Sequence, residues 1–240
     1  MSKVTEKKPK RCCDEEAILA RREEILQTAT ELFAEQGFSD AVTQVLTDRL
    51  QIGKGTLYRH FPSKRELFLA AADRVMVKLN ECVEESIAGV TDGLERMARG
   101  IAAYLRFFSE NPHFVELIIQ ERANFRDRKR PTYFEHRERN VHRWRQMYRD
   151  LIAQGRIRDM AVEQISDVLF AAMYGTMFVN YFTGQSKPSD VQAHEILDIV
   201  FYGILSETER EHRGVGVGYC EGCVPCQQAA SPPDEPQKPD

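Results

Sequence analysis

Apolar residues in this chain recur at a spacing near 3.6, and no run of strict alternation is long enough to predict a strand. That periodicity confines the fold to packed helices. The first stripe, Ile25, Leu26, Ala29, Leu32 and Phe33, predicts a helix over about 14–36, with Gly37 as its stop. A short helix is expected over about 44–50 with Thr43 as its N-cap, and another begins near Lys54. Ser63 followed by Glu66 is a capping box that opens a long helix through Leu67, Phe68, Ala71, Val75 and Leu79. Further helical patterns run over about 91–109, 112–124, 132–154, 162–183 and 189–211, broken at Pro112, Pro131, Gly155, Gly184 and Pro188. From Gly214 the composition turns to glycine, cysteine and proline, so 212–240 reads as a tail that adds nothing to a core.

At 240 residues with 42% hydrophobic and 29% charged composition, the chain can bury a sizeable core without disulfides or metals. Basic residues at the N-terminus (Lys3, Lys7, Lys8, Lys10, Arg11) precede no apolar segment, so no secretory signal is expected. The charge-free stretch from Val168 to Gln185 is too short and too polar for a membrane span. Six cysteines without a leader point to a reducing cytoplasm. The net charge of −4 divides unevenly. Residues 1–65 hold 12 Lys+Arg against 10 Asp+Glu, a balance of +2, and the remainder holds 21 against 27, a balance of −6. The acid therefore lies away from the N-terminal segment, which leaves that segment free to meet a polyanion.

Residues 43–61 form a short helix, a turn at Gln51-Ile52-Gly53 and a second short helix, the helix-turn-helix arrangement whose second helix enters a major groove. Leu57 and Phe61 share one side of that second helix and are placed to pack on Leu46, Leu50 and Ile52. Gly55 and Arg59 lie opposite, flanked by Thr56, Tyr58 and His60. Gly55 permits close backbone approach, Thr56 suits a base edge or thymine methyl, and Arg59 suits guanine. Thr43, Lys54, Tyr58, His60 and Lys64 complete the expected DNA-binding set, mostly as phosphate contacts.

Two stretches carry a family resemblance: Arg22-x-x-Ile25-Leu26-x-x-Ala29-x-x-Leu32-Phe33-x-x-x-Gly37-Phe38, and Lys54-Gly-Thr-Leu-Tyr-Arg-His-Phe61-x-Ser63-Lys64-x-x-Leu67. Across residues 20–80 the chain resembles the TetR family of transcriptional regulators. The resemblance implies an all-α homodimer with an N-terminal three-helix DNA-binding domain and a C-terminal helical domain that binds an inducer and dimerises. The expected organisation is a basic arm over 1–20, a DNA-binding domain with its connecting helix over 21–80, a ligand-binding and dimerisation domain over 81–211, and the tail. The chain departs from the family pattern at the turn, where Gln51 stands in place of the usual glycine and is expected to adopt a positive φ.

The helices expected over 162–183 and 189–211 are apolar on more than one face and require a second burial partner. Val168, Ala172, Gly175, Ile196, Val200 and Ile204 are the candidate residues of a two-fold interface, with burial inside a monomer as the alternative. Tyr104, Phe107, Phe108, Phe114, Trp144, Met147, Phe170, Met173 and Tyr174 are candidates for an apolar ligand pocket, or else plain core. The nine arginines between 122 and 149, interspersed with Glu135 and Glu138, read as a solvated, ion-paired face or as an anion site. Cys220, Cys223 and Cys226 have the spacing of soft-metal or redox thiols but supply only three ligands. They offer a second reading, a metal- or thiol-responsive regulator. No cofactor is expected. No nucleophile–base arrangement or phosphate loop stands out, so the expectation is a repressor of pseudo-palindromic double-stranded DNA released by a small molecule, not an enzyme.

Overall fold

The structure is a computed structural model that describes residues 10–41, 43–184 and 187–202, with side chains from residue 16 onward. Among the described residues there are nine α-helices and no strand. They are α1 (Lys10–Asp40), α2 (Thr43–Arg49), α3 (Lys54–His60), α4 (Lys64–Ile87), α5 (Gly93–Glu110), α6 (His113–Asn124), α7 (Thr132–Ala153), α8 (Val162–Thr183) and α9 (Ser189–Tyr202).

The helix ends follow local chemistry. Ser63 Oγ accepts the Glu66 amide at 3.1 Å, and Asp92 Oδ1 accepts the Glu95 amide at 2.9 Å, each satisfying an amide that the first turn leaves without a partner. Gly184 closes α8 in the left-handed region at φ 64°. Gly37 breaks α1 near its end with φ 72° and ψ 171°. A side chain at Gly37 would also crowd Gln120, whose Nε2 lies 3.2 Å from an added Cβ, so the glycine admits α6 against α1.

Three features differ from the sequence reading. Helix α1 begins at Lys10, four residues before the start expected from the sequence, within the segment expected as an arm running into it. Thr43 is the first residue of α2, inside the helix and not its cap, and its hydroxyl faces Tyr58 Oη at 3.5 Å. The boundary expected at residue 80 falls inside the unbroken α4. The N-terminal helices and the rest share one core there, because Phe33 and Phe38 meet Phe68, and Phe38 and Phe68 in turn meet Phe125, from the α6–α7 connection, all in edge-to-face pairs with centroids 4.8–5.4 Å apart. The described residues up to Val200 form one compact unit.

Helix α4 is the central element. It packs on α1 at its start and on α5, α6 and α7 along its length, while α8 covers α5 and α7. The α6–α7 connection is pinned by Glu121, only 2% exposed, whose Oε1 accepts the Thr132 amide at 2.9 Å and the Thr132 hydroxyl at 3.1 Å and pairs with Arg128 at 3.2 Å. Burial is the main reason the Glu121 carboxyl titrates above its ordinary range.

Candidate nucleic-acid interface and cavity

The turn between α2 and α3 is a Schellman arrangement. The Ile52 amide donates to Thr47 O at 3.0 Å and the Gln51 amide to Asp48 O at 3.2 Å, with Gln51 in the left-handed region at φ 52°. This fixes α3 against α2. Leu57 and Phe61 are buried with Leu46 and Leu50, Ile52 is partly buried against the same core, and α3 turns its other face outward. Arg22, on α1, holds the end of α3: its Nη1 donates to His60 O at 3.2 Å and its guanidinium lies 4.3 Å from the centre of the Phe61 ring. The motif pattern marked Arg22 but not this role.

Of the expected DNA-binding side chains, Lys54, Tyr58 and Arg59 are exposed, Thr56 and His60 half-buried. Lys54 and Arg59 have no ion-pair or hydrogen-bond partner among the described residues, so both cations are available to an external anion. Gly55 is exposed, and an added Cβ there would meet nothing within 4 Å, so packing inside the protein does not demand a glycine. Thr43 stands beside Tyr58 at the edge of this face. Lys64 is already engaged. Its Nζ donates to Ser39 O at 3.1 Å and sits 4.9 Å from the centre of the Phe38 ring, and partial burial lowers its pKa.

A cavity of about 150 Å³ lies between α4, α5, α7 and α8. Tyr104, Trp144, Phe170 and Met173, four of the residues expected at a ligand pocket or in the core, line it. Phe107, Phe108 and Phe114 do not. They are buried against one another, with Phe107 5.3 Å from Phe108 and 5.5 Å from Phe114, because they face the packed side of α5 and α6. Met147 lines an open groove beside Asp92 and Arg156, and Tyr174 lines another beside Arg122, Arg126 and Lys129. The sequence reading passed over the cavity's polar wall, made by Asn80, His136, Arg137 and Asn140.

His136 ties α7 to α4 at this wall. Its Nε2 donates to Asp73 Oδ1 at 2.7 Å, and its Nδ1 accepts from Asn80 Nδ2 at 3.2 Å. Across the cavity the Tyr104 and Tyr133 hydroxyls lie 2.5 Å apart, and burial raises the pKa of both. Arg137 donates to Asp167 Oδ1 at 2.5 Å and stacks 4.1 Å over Phe170, yet its Nε is buried with no partner. The arginine-rich stretch divides: Arg128, Arg130, Arg137, Arg139, Arg143 and Arg145 meet carboxylates, whereas Arg122 and Arg126 pair with none among the described residues.

Along α8, Val168, Gly175, Val179 and Phe182 make an exposed stripe at helical spacing, Phe182 being 70% exposed, and Ile199 of α9 is exposed as well. Of the other residues expected at an interface, Ala172, Ile196 and Val200 are half-buried, and Ile196 and Val200 pack on the core. Ile204 and the three cysteines Cys220, Cys223 and Cys226 lie outside the described residues. Among the described residues no group of three His, Cys, Asp or Glu could hold a metal ion. No helix there is long and apolar enough to cross a membrane.

Nine helices among the described residues, with an outward-facing helix-turn-helix followed by a cavity-bearing bundle, have the architecture of a DNA-binding transcriptional regulator. Comparison with known proteins agrees: the models for "Bacterial regulatory proteins, tetR family" and "Tetracyclin repressor-like, C-terminal domain" match residues 25–71 and 90–194. The chain belongs to the TetR family of DNA-binding transcriptional regulators. It is 31% identical over 100 residues to the transcriptional activator FasR of Mycolicibacterium smegmatis, a match covering 42% of this chain and 46% of that one. It is 29% identical over 114 residues to the nucleoid occlusion factor SlmA of Vibrio campbellii, covering 45% and 58%. The chain spans about half the length of the curated relatives it matches. Among solved structures it resembles FadR of Bacillus subtilis in complex with stearoyl-CoA (TM-score 0.64, 18% identity, 76% of this chain and 99% of that one). It also resembles FadR of Bacillus halodurans (TM-score 0.67, 11% identity, 76% and 95%).

Proposed function

We propose that this regulator is a homodimeric repressor that holds a pseudo-palindromic operator and leaves it when a small molecule enters the cavity. The observation that carries the DNA reading is the outward face of α3, where Lys54 and Arg59 are exposed without partners beside a glycine that the protein's own packing does not require. The exposed apolar stripe on α8 supports a two-fold dimer, which would bury it, and two half-sites need two recognition helices. The cavity has one wall on α4, through Met76, Leu79 and Asn80, and only three residues separate α4 from the recognition helix. A ligand that favours a different seating of α4 shifts the population toward dimers whose recognition helices no longer match the operator. Ligand binding by the FadR neighbour supports an effector role for this region, and residence in the cytoplasm follows from that function.

Fluorescence anisotropy on a duplex selected from random DNA tests the reading. Arg59→Ala lowers specific affinity by about 1–3 kcal/mol, whereas Lys54→Ala weakens binding to all sequences and reduces the salt dependence. Specific affinity unchanged by Arg59→Ala overturns the assignment of α3. FasR bears the name of an activator, so the sign of regulation is read from a reporter behind the same operator: repression predicts higher expression when the protein is removed.

A further inference from the structure

The cavity is small. An apolar cavity of about 150 Å³ takes a benzene-sized guest, and a long acyl chain does not fit such a space. Its walls combine Met76, Leu79 and Leu169 with the rings of Tyr104, Trp144 and Phe170, surfaces suited to offset and edge-on contact with one further ring. Gly100 sets the width. A Cβ there would stand 2.6 Å from Trp144 Cη2, so the indole lies directly on the α5 backbone.

The polar wall specifies the rest. Both nitrogens of His136 are occupied, by Asp73 and Asn80. Tyr104 and Tyr133 bind each other, and Ser166 donates to Glu163 O while accepting from Arg145. Arg137 differs. Its guanidinium, fixed by the Asp167 pair and the Phe170 ring, is the only Lys or Arg side chain among the described residues that line the cavity, and no carboxylate lines it. A cation held in a largely apolar cavity favours an anionic guest.

We infer that the cavity takes an aromatic monocarboxylic acid of about benzoate size, its ring among Trp144, Tyr104 and Phe170 and its carboxylate on Arg137. The inference rests on the cavity being the effector site and narrows what the effector is. A long-chain thioester such as the one in complex with the B. subtilis neighbour is larger than this cavity.

Trp144 is the chain's single tryptophan, so its fluorescence reports directly on occupancy. The full-length protein is titrated with benzoate, with benzyl alcohol (the same ring without the charge) and with stearoyl-CoA, and the same additions are made to the operator complex in a mobility-shift assay. Benzoate is expected to change Trp144 emission saturably, with at least tenfold tighter binding than benzyl alcohol. Arg137→Gln is expected to remove that preference while benzyl alcohol still binds, which shows that the variant's cavity is intact. Arg137→Lys keeps the charge without the fixed donor and restores only part of the preference. Equal binding of benzoate and benzyl alcohol, a preference that survives Arg137→Gln, or saturation by stearoyl-CoA but not benzoate overturns the ligand class. Stearoyl-CoA releasing the operator without any benzoate response would leave the regulatory reading standing and the ligand class refuted. Benzoate binding at Trp144 without operator release would do the reverse.

Discussion

Replacing Gln51 by glycine should stabilise the protein, although it deletes a whole side chain. Gln51 sits at φ 52° in the turn that positions α3, and its amide and that of Ile52 both bond back into α2, so the conformation is held by the turn itself. A left-handed conformation costs an L-residue roughly 1–2 kcal/mol, and glycine adopts it freely. Against this, glycine gives the unfolded chain about 0.4–1 kcal/mol more conformational entropy to lose. The side chain of Gln51 is exposed and makes no hydrogen bond among the described residues, so little else is lost. The net gain is about 0.5–1 kcal/mol, which for a protein of this size raises Tm by roughly 1–4 °C. Urea and thermal denaturation followed by circular dichroism measure it, with Gln51→Val as the counterpart, since a β-branched residue is poorly tolerated at positive φ and should cost stability. A Gln51→Gly variant less stable than the parent, or a Gln51→Val variant equal to it, would refute the assignment of strain to this turn.

Two further perturbations test other parts of the structure. Glu121→Ala leaves the Thr132 amide without its acceptor and removes one of the two carboxylates that Arg128 meets, the other being Glu135, and should cost about 1–3 kcal/mol in urea denaturation, whereas Glu121→Gln keeps an acceptor and recovers most of it. Because burial raises the folded pKa of Glu121 above its ordinary 4.5, the folded state holds that proton more tightly. The resulting stabilisation is complete below pH 4.5 and fades as pH rises through the raised value, a slope that Glu121→Gln should abolish. Phe182→Glu should dissociate the proposed dimer: burying two copies of this side chain is worth roughly 3–6 kcal/mol, and sedimentation velocity would show monomer at concentrations where the parent is dimeric. A monomeric parent protein would contradict the interface.

The helix-turn-helix was legible in the sequence because its determinants are local. The stripe on α1, the capping box at Ser63 and the Leu57/Phe61 pair on one side of α3 each declare themselves within a few residues, and the left-handed Gln51 follows from a missing glycine at one known position. The cavity was only partly legible. Aromatic residues at helical spacing are recognisable as buried, but whether they face a void or one another depends on how four helices meet. Phe107, Phe108 and Phe114 therefore pack on one another while Tyr104, Trp144 and Phe170 line the cavity. The polar wall was hidden for a different reason. Arg137 belongs to an arginine-rich run that mostly pairs with surface carboxylates, as Arg137 does with Asp167, and composition alone assigns the whole run to solvent. The signal that separates it is spacing: Tyr133, Arg137, Asn140, Trp144 and Tyr148 recur at three or four residues and mark one face of α7 turned inward.

The central claim is that two copies of α3 read two half-sites. Footprinting of the purified full-length protein on the DNA upstream of its own coding region tests it most directly. The account predicts a protected pseudo-palindrome with half-sites about 34 Å apart, or a multiple of that distance, and loss of protection in Arg59→Ala. A folded protein that protects no site, or protects it equally well without Arg59, would contradict it.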